Sequence, residues 1–256
     1  RDNLPGIALG NVVGSNTANA LLVLGLPAMM AALHTSECDT RKTYVFMLVA
    51  TALFIGLAFL GTFTFWSGLI LLAGLGVLLW DAFCEARAHR NSNREEAEIE
   101  VLEEADPNMP YWRIGVFLVL GLIGLPLGAN LLVENASIIA RMYNVSETVI
   151  GLTLVAVGTS LPELATTVMA ALRRQADVAL GNVIGSNMFN LLAIVGIAAL
   201  FGDIPVEDSF LYFELWVMLA ASLVLAPFVL MRVNMGRIVG AIFTALYIGY
   251  IALALT

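Results

Sequence analysis

The seven residues Gly10-Asn11-Val12-Val13-Gly14-Ser15-Asn16 return almost unchanged as Gly181-Asn182-Val183-Ile184-Gly185-Ser186-Asn187. Aligning 8–25 with 179–196 at an offset of 171 gives 11 identities in 18 positions without a gap. Each copy lies in an apolar stretch long enough to cross a hydrocarbon core, which takes about 20 helical residues. A soluble bundle with an apolar core is excluded, because these stretches carry no charged face at helical spacing. Composition agrees: 60% of residues are hydrophobic and 12% charged, too little charge to cover a water-soluble surface of this size.

The sequence predicts an all-α polytopic membrane protein of eight helices, near 8–33, 43–60, 64–81, 113–140, 147–172, 178–200, 211–230 and 237–255. The motif helices are the first and sixth, five crossings apart, so they run in opposite directions. The same offset of 171 maps 43–60 onto 214–231 and 64–81 onto 235–252. An inverted-topology repeat of this kind is the construction of secondary transporters, with the substrate held near the midplane between the halves. Residues 1–81 then form a partial first repeat of three helices, 82–112 an acidic linker, and 113–256 a complete second repeat of five helices. The symmetry implies two further helices ahead of residue 1.

Ten of the twelve basic residues, including Arg41, Lys42, Arg87, Arg173, Arg174 and Arg237, fall in the loops after helices one, three, five and seven. Cytoplasmic loops retain Lys and Arg, so the 82–112 linker is expected in the cytoplasm and the C-terminus outside, in a plasma or inner membrane. Seven of the twenty acids lie between Glu95 and Asp106. This run reads as a solvated linker, with a cation-sensing role as the lesser alternative, since carboxylates without defined turns make a poor calcium cage. No basic stripe exists to neutralise phosphates, which excludes nucleic acid as a partner. Cys38 and Cys84 lack the number and spacing of a disulfide framework or zinc site. Trp66, Trp80, Trp112 and Trp216 fall near predicted helix ends as interfacial anchors, while His34 and His89 read as surface groups.

The chemistry is concentrated in helix five, at Val157-Gly158-Thr159-Ser160-Leu161-Pro162-Glu163. A carboxylate in a spanning segment is costly unless compensated, so Glu163 should face protein, water or an ion. Pro162 has no amide proton and obstructs the carbonyl of Gly158, so the helix should break there and free carbonyls from Ala156 to Thr159. Ser160 and Glu163 share a face at i,i+3. The set of Thr159, Ser160, Glu163 and main-chain oxygen suits a hard cation such as sodium or calcium. Ser186 and Asn190, and their counterparts Ser15 and Asn19, stand at i,i+4 and offer neutral oxygens to complete a shell. Asn11, Asn16, Asn182 and Asn187 read as interhelical hydrogen-bonding groups rather than ligands. Glu134 and Asn135 are divided evenly between the ion path and packing. No histidine base lies within local reach of Glu163 or the hydroxyls, so no hydrolase or redox constellation competes and an enzyme is not expected.

These two segments together, with the partial copy at 10–16, resemble the alpha-repeats of the sodium/calcium exchanger family of calcium:cation antiporters. The resemblance covers essentially the whole chain. It implies ten helices in two inverted sets of five, of which this chain matches the third to tenth, and no cofactor. It implies that calcium and sodium are the transported ions, with a proton-driven antiporter of the same fold as the alternative. A cation channel and a non-transporting fragment are the more distant readings. The resemblance makes Glu163 the central carboxylate ligand. It adds Thr159, Ser160 and the Ala156 carbonyl from the same helix, Ser186 and Asn190 from helix six, and Ser15 and Asn19 from helix one. Two departures stand out. The family's other glutamate belongs to a first copy of the Thr-Ser-x-Pro-Glu segment that this sequence does not contain. Asn190 replaces an aspartate of several relatives, which argues against potassium co-transport.

Overall fold

The structure, a computed structural model, describes residues 4–92, 110–143, 155–208 and 210–254. The acidic run from Glu95 to Asp106 and the first part of the predicted fifth helix lie outside the described residues. Helix α1 runs over Leu4–Ala18, widens into a π turn at Asn19–Val23 and ends in Leu24–Met30. Helices α2 (Arg41–Ala58), α3 (Phe65–Ser92) and α4 (Tyr111–Met142) follow. The fifth predicted helix is broken into α5 (Ala156–Thr159) and α6 (Leu161–Leu172). Helix α7 comprises Ala176–Phe189, a π turn at Asn190–Ile194 and Val195–Phe201. Helix α8 comprises a π turn at Phe210–Glu214, then Leu215–Val224 and Ala226–Leu230, and α9 is Arg237–Ala254.

Six described spans are long and apolar enough to cross a membrane, and α6 and α9 are shorter apolar helices. Little of the outer wall is covered by protein: only 6% of the best window of α4 and 17% of that of α3 is buried. Apolar surface on that scale belongs against lipid rather than water. All four tryptophans are exposed, as anchors in a membrane interface would be. Helix α3 continues to Ser92, past the end predicted near 81. Lys42 at the start of α2 pairs with Asp81, at the predicted end, and with Glu85 on the extension, at 2.6 and 3.3 Å.

The inverted repeat is visible in the backbone. The two π turns begin at Asn19 and Asn190, positions equivalent at the repeat offset. A short antiparallel pairing joins β1 (Thr62–Phe63) to β2 (Ile204–Pro205), with Phe63 opposite Ile204. Its counterpart is the isolated bridge between Leu33 and Met235. Leu33 is the mate of Ile204 at 171, but Met235 lies one residue beyond the mate of Phe63 at that offset. The last helix is therefore related to α3 by 172, a one-residue slip that the sequence offset of 171 did not include.

The core divides in the same way. One buried cluster gathers Leu33, Met47, Leu180, Val183 and Leu225; the other gathers Ile204, Met218, Leu9, Val12 and Phe54. Each of the five named in the first has its repeat partner among the five named in the second. Glycines set the closest helix contacts: a Cβ on Gly240 of α9 would lie 2.6 Å from the Gly25 carbonyl of α1, and one on Gly68 of α3 would lie 2.7 Å from the Gly196 carbonyl of α7. Gly25 and Gly196 are again repeat mates, so α9 on α1 and α3 on α7 are one interlock used twice.

Candidate cation site

The break between α5 and α6 is centred on Ser160, at φ −91° and ψ 1°. The Ser160 amide donates to the Val157 carbonyl at 3.0 Å, one residue short of the Ala156 carbonyl that an unbroken α-helix would use. Pro162 has no proton for the Gly158 carbonyl. The carbonyls of Ala156 and Gly158 are thus released from their α-helical donors, and the regular ladder resumes with the Leu164 amide on the Ser160 carbonyl at 2.9 Å. Helix α4 presses on this point, where any side chain at Gly158 would collide with Val133.

Ser160 holds the N-cap position of α6, where a serine hydroxyl ordinarily accepts from a first-turn amide. Here it makes no such cap bond. Ser160 is 2% exposed, and its Oγ has no hydrogen-bond partner among the described residues. Glu163, in the first turn of α6, accepts from the Ser186 hydroxyl of α7 at 3.1 Å through Oε1. Its Oε2 is buried without a partner. The Ser186 hydroxyl in turn accepts from Asn19 Nδ2 of α1 at 3.2 Å, and the Asn19 Oδ1 is also buried and unpartnered. Five buried side-chain oxygens lack a partner among the described residues, and three of them belong to this cluster.

Ser15 and Thr159 meet directly, their hydroxyls 3.0 Å apart. Both hydroxyls also face Asn11 Oδ1, Thr159 at 3.0 Å and Ser15 at 3.5 Å. Asn190 donates from Nδ2 to Asn16 Oδ1 at 2.9 Å. The predicted set is therefore assembled from three elements, α1, the broken α5–α6, and α7. Ser15 joins Thr159, Asn19 joins Ser186 and Glu163, Ser160 lies buried at the break, and Asn190 reaches α1 through Asn16. Ala156 opens α5 with its carbonyl released.

Some contributors were not singled out from sequence. Asn182, predicted as a hydrogen-bonding residue, grips α6 by donating to the Glu163 carbonyl at 3.1 Å and to the hydroxyls of Thr166 and Thr167 at 2.8 and 2.9 Å. Those two threonines fix the carboxylate's helix against α7; their place three and four residues after Glu163 is the signal that would have found them. Glu134 and Asn135 are both exposed on α4, and Asn135 donates to its own helix at Leu131. A second carboxylate in a spanning segment, Glu214 of α8, accepts a hydrogen bond from Tyr250 of α9, separately from the cluster.

Among the described residues no group of three His, Cys, Asp or Glu could hold a metal. The three elements together carry one carboxylate with hydroxyl, amide and main-chain oxygens, a donor set for hard cations and not for zinc or copper. The family model for the sodium/calcium exchanger protein matches residues 1–83 and 114–256. The chain belongs to the sodium/calcium exchanger family. The interval that the family model skips, 84–113, takes in the end of α3, the acidic segment and the first residues of α4. Among relatives, the sodium/calcium exchanger MaX1 of Methanosarcina acetivorans is 32% identical over 277 residues, covering 96% of this chain and 79% of that protein. The inner membrane protein YrbG of Escherichia coli is 32% identical over 254 residues, covering 96% and 76%. A structure of the sodium-calcium exchanger NCX_Mj superposes with a TM-score of 0.73 at 35% identity, covering 97% of this chain and 77% of that one. This family member is accordingly an integral, multi-pass membrane protein and a cation antiporter, not an enzyme, and its chemistry is carried by transported ions rather than a cofactor.

Proposed function

We propose that the chain exchanges calcium for sodium by alternating access around one site. Its ligands are Glu163, Ser160, Thr159 and the Ala156 carbonyl from the broken helix, Ser186 and Asn190 from α7, and Ser15 and Asn19 from α1. One observation carries the reading: Glu163 Oε2, Ser160 Oγ and Asn19 Oδ1 are buried without partners among the described residues. Each such group costs about 1–3 kcal/mol if it stays unmet. A bound hard cation meets all three at once, which explains why a Ser at an N-cap forgoes its cap.

Glu163 supplies negative charge, and the neutral oxygens supply coordination number without adding more. Calcium, with two charges and a preference for 6–8 oxygens, competes for the same carboxylate as several sodium ions held by the surrounding hydroxyls and amides. Exchange rather than leak follows because an empty site, with its carboxylate buried and unmatched, resists reorienting. The inverted halves provide the motion: α1 and α7 hold the site between them while the halves trade conformations. The partition into 1–81, 82–112 and 113–256, the cytoplasmic placement of the acidic segment and an outside C-terminus belong to this proposal; the Lys and Arg bias supports them.

Replacing Glu163 with Gln tests the assignment. The amide keeps an oxygen for Ser186 but puts an N–H₂ donor where a cation needs an oxygen, so calcium-dependent sodium flux in proteoliposomes should vanish. Flux at the unsubstituted level would remove Glu163 from the centre of the site.

A further inference from the structure

The crossing of α1 and α7 is held by a reciprocal pair of asparagines. Asn16 Nδ2 donates to the Asn187 carbonyl at 3.3 Å, and Asn187 Nδ2 donates to the Asn16 carbonyl at 3.4 Å, across a separation of 171 residues. Both residues are buried, at 2% and 0% exposure. Each amide nitrogen also lies against the sulfur of a repeat-related methionine, Met218 for Asn16 and Met47 for Asn187. The side-chain oxygens face the opposite way. Asn187 Oδ1 accepts from Asn19 Nδ2 at 3.1 Å, and Asn16 Oδ1 accepts from Asn190 Nδ2 at 2.9 Å.

An asparagine amide has a donor end and an acceptor end of nearly equal size, and its surroundings decide which way it points. Here the decision follows in order from the backbone. A main-chain carbonyl only accepts, so Asn187 must turn its nitrogen to the Asn16 carbonyl, and its oxygen is thereby turned toward Asn19. Asn19 must answer that oxygen with its own nitrogen. Its remaining end, Oδ1, is the buried oxygen without a partner. The same sequence through Asn16 fixes Asn190.

We propose that Asn16 and Asn187 are positioning residues that lock the amide orientation of Asn19 and Asn190, so that the cation site is met by oxygen and never by N–H. The inference rests on the reading of Asn19 as a ligand. It gives the duplicated Gly-Ser-Asn ending a purpose: the repeat supplies one orienting asparagine for the opposite half's ligand. Each half therefore sets the polarity of the other half's coordinating amide, and the two are coupled at the pseudo-symmetric crossing.

The test is calcium binding to purified Asn187→Leu protein, followed by equilibrium dialysis with radiolabelled calcium. Leucine removes one of the two acceptors that hold Asn19 Nδ2 and leaves only the Ser186 hydroxyl, which can donate as well as accept and so does not by itself exclude the turned amide. Affinity should fall about tenfold, equivalent to about 1.4 kcal/mol. In an Asn19→Asp background the same substitution should cost less than about threefold, because a carboxylate has no wrong end, whereas a purely structural role for Asn187 predicts the same tenfold loss in both backgrounds. Where Asn187→Leu does not accumulate as folded protein, Asn187→Ala serves: it removes the same acceptor and adds no bulk at the crossing. Unchanged affinity in the single variant, or an equal loss in the two backgrounds, overturns the proposal. Asn19→Ala is the separate control, and its binding calcium as tightly as the unsubstituted protein would instead remove Asn19 from the site.

Discussion

A ligand oxygen kept without a partner makes the empty protein less stable than it needs to be, and Ser160 offers the cleanest measure of that cost. Its side chain is buried and its Oγ unpartnered. Ser160→Ala removes the hydroxyl and leaves the backbone at φ −91°, ψ 1°, which alanine adopts without strain. No cap bond is lost, because none is made. Relieving one buried unsatisfied hydroxyl is worth about 1–3 kcal/mol, and 1 kcal/mol moves the midpoint of a protein of 150–250 residues by about 2–4 °C. In detergent and chelator, the apparent melting temperature of Ser160→Ala should therefore rise by about 2–12 °C. Calcium stabilises whatever binds it by mass action, so the unsubstituted protein should gain on calcium addition while the variant gains less, its affinity lower by about tenfold for the lost oxygen. The two melting curves should approach or cross as calcium is raised. A variant destabilised in chelator would show that the hydroxyl has a partner after all. An undiminished calcium response would show that it is no ligand.

Two further outcomes follow from the architecture. Gly240→Ala places a methyl against three backbone atoms of α1, at 2.6, 2.7 and 3.0 Å from Gly25 O, Met29 N and Ala28 C; overpacking of this kind costs about 1–3 kcal/mol. Gly249→Ala on the same helix meets nothing within 4 Å, so its melting temperature should hold or rise, and equal losses in the two variants would contradict the α9-on-α1 interlock. Cys84 is exposed near the end of α3 and Cys38 is buried; in sealed, oriented vesicles a membrane-impermeant maleimide should label Cys84 from the cytoplasmic face only, and labelling from the other face would invert the proposed topology.

The membrane class, the helix count and the antiparallel halves were legible because each rests on pattern: apolar length, a gapless repeat and an odd number of crossings between its copies. The break at Ser160 was legible because proline acts locally, through a missing donor at Gly158. The eight expected ligands are brought onto three neighbouring elements because the motif spacing already placed them on shared helix faces. What sequence could not supply was register at the level of single backbone turns. The π turns at Asn19–Val23 and Asn190–Ile194 leave no mark in the repeat, since both copies contain them and the offset stays 171 through each. The slip to 172 lies beyond the stretch of clear identity and appears only in which residues pair, Leu33 with Met235 against Ile204 with Phe63. The pairing of Glu85 on the extension of α3 depends on Lys42 from another helix. The grip of Asn182 on Thr166 and Thr167 depends likewise on which faces meet.

The central claim is that calcium moves in exchange for sodium, and radiolabelled calcium uptake into proteoliposomes of the protein tests it directly. An outward sodium gradient at equal pH should drive uptake that Glu163→Gln abolishes, while a pH gradient imposed in sodium-free buffer should drive none. Uptake that follows the pH gradient and ignores sodium would contradict the account and make the protein a proton-driven antiporter of the same fold.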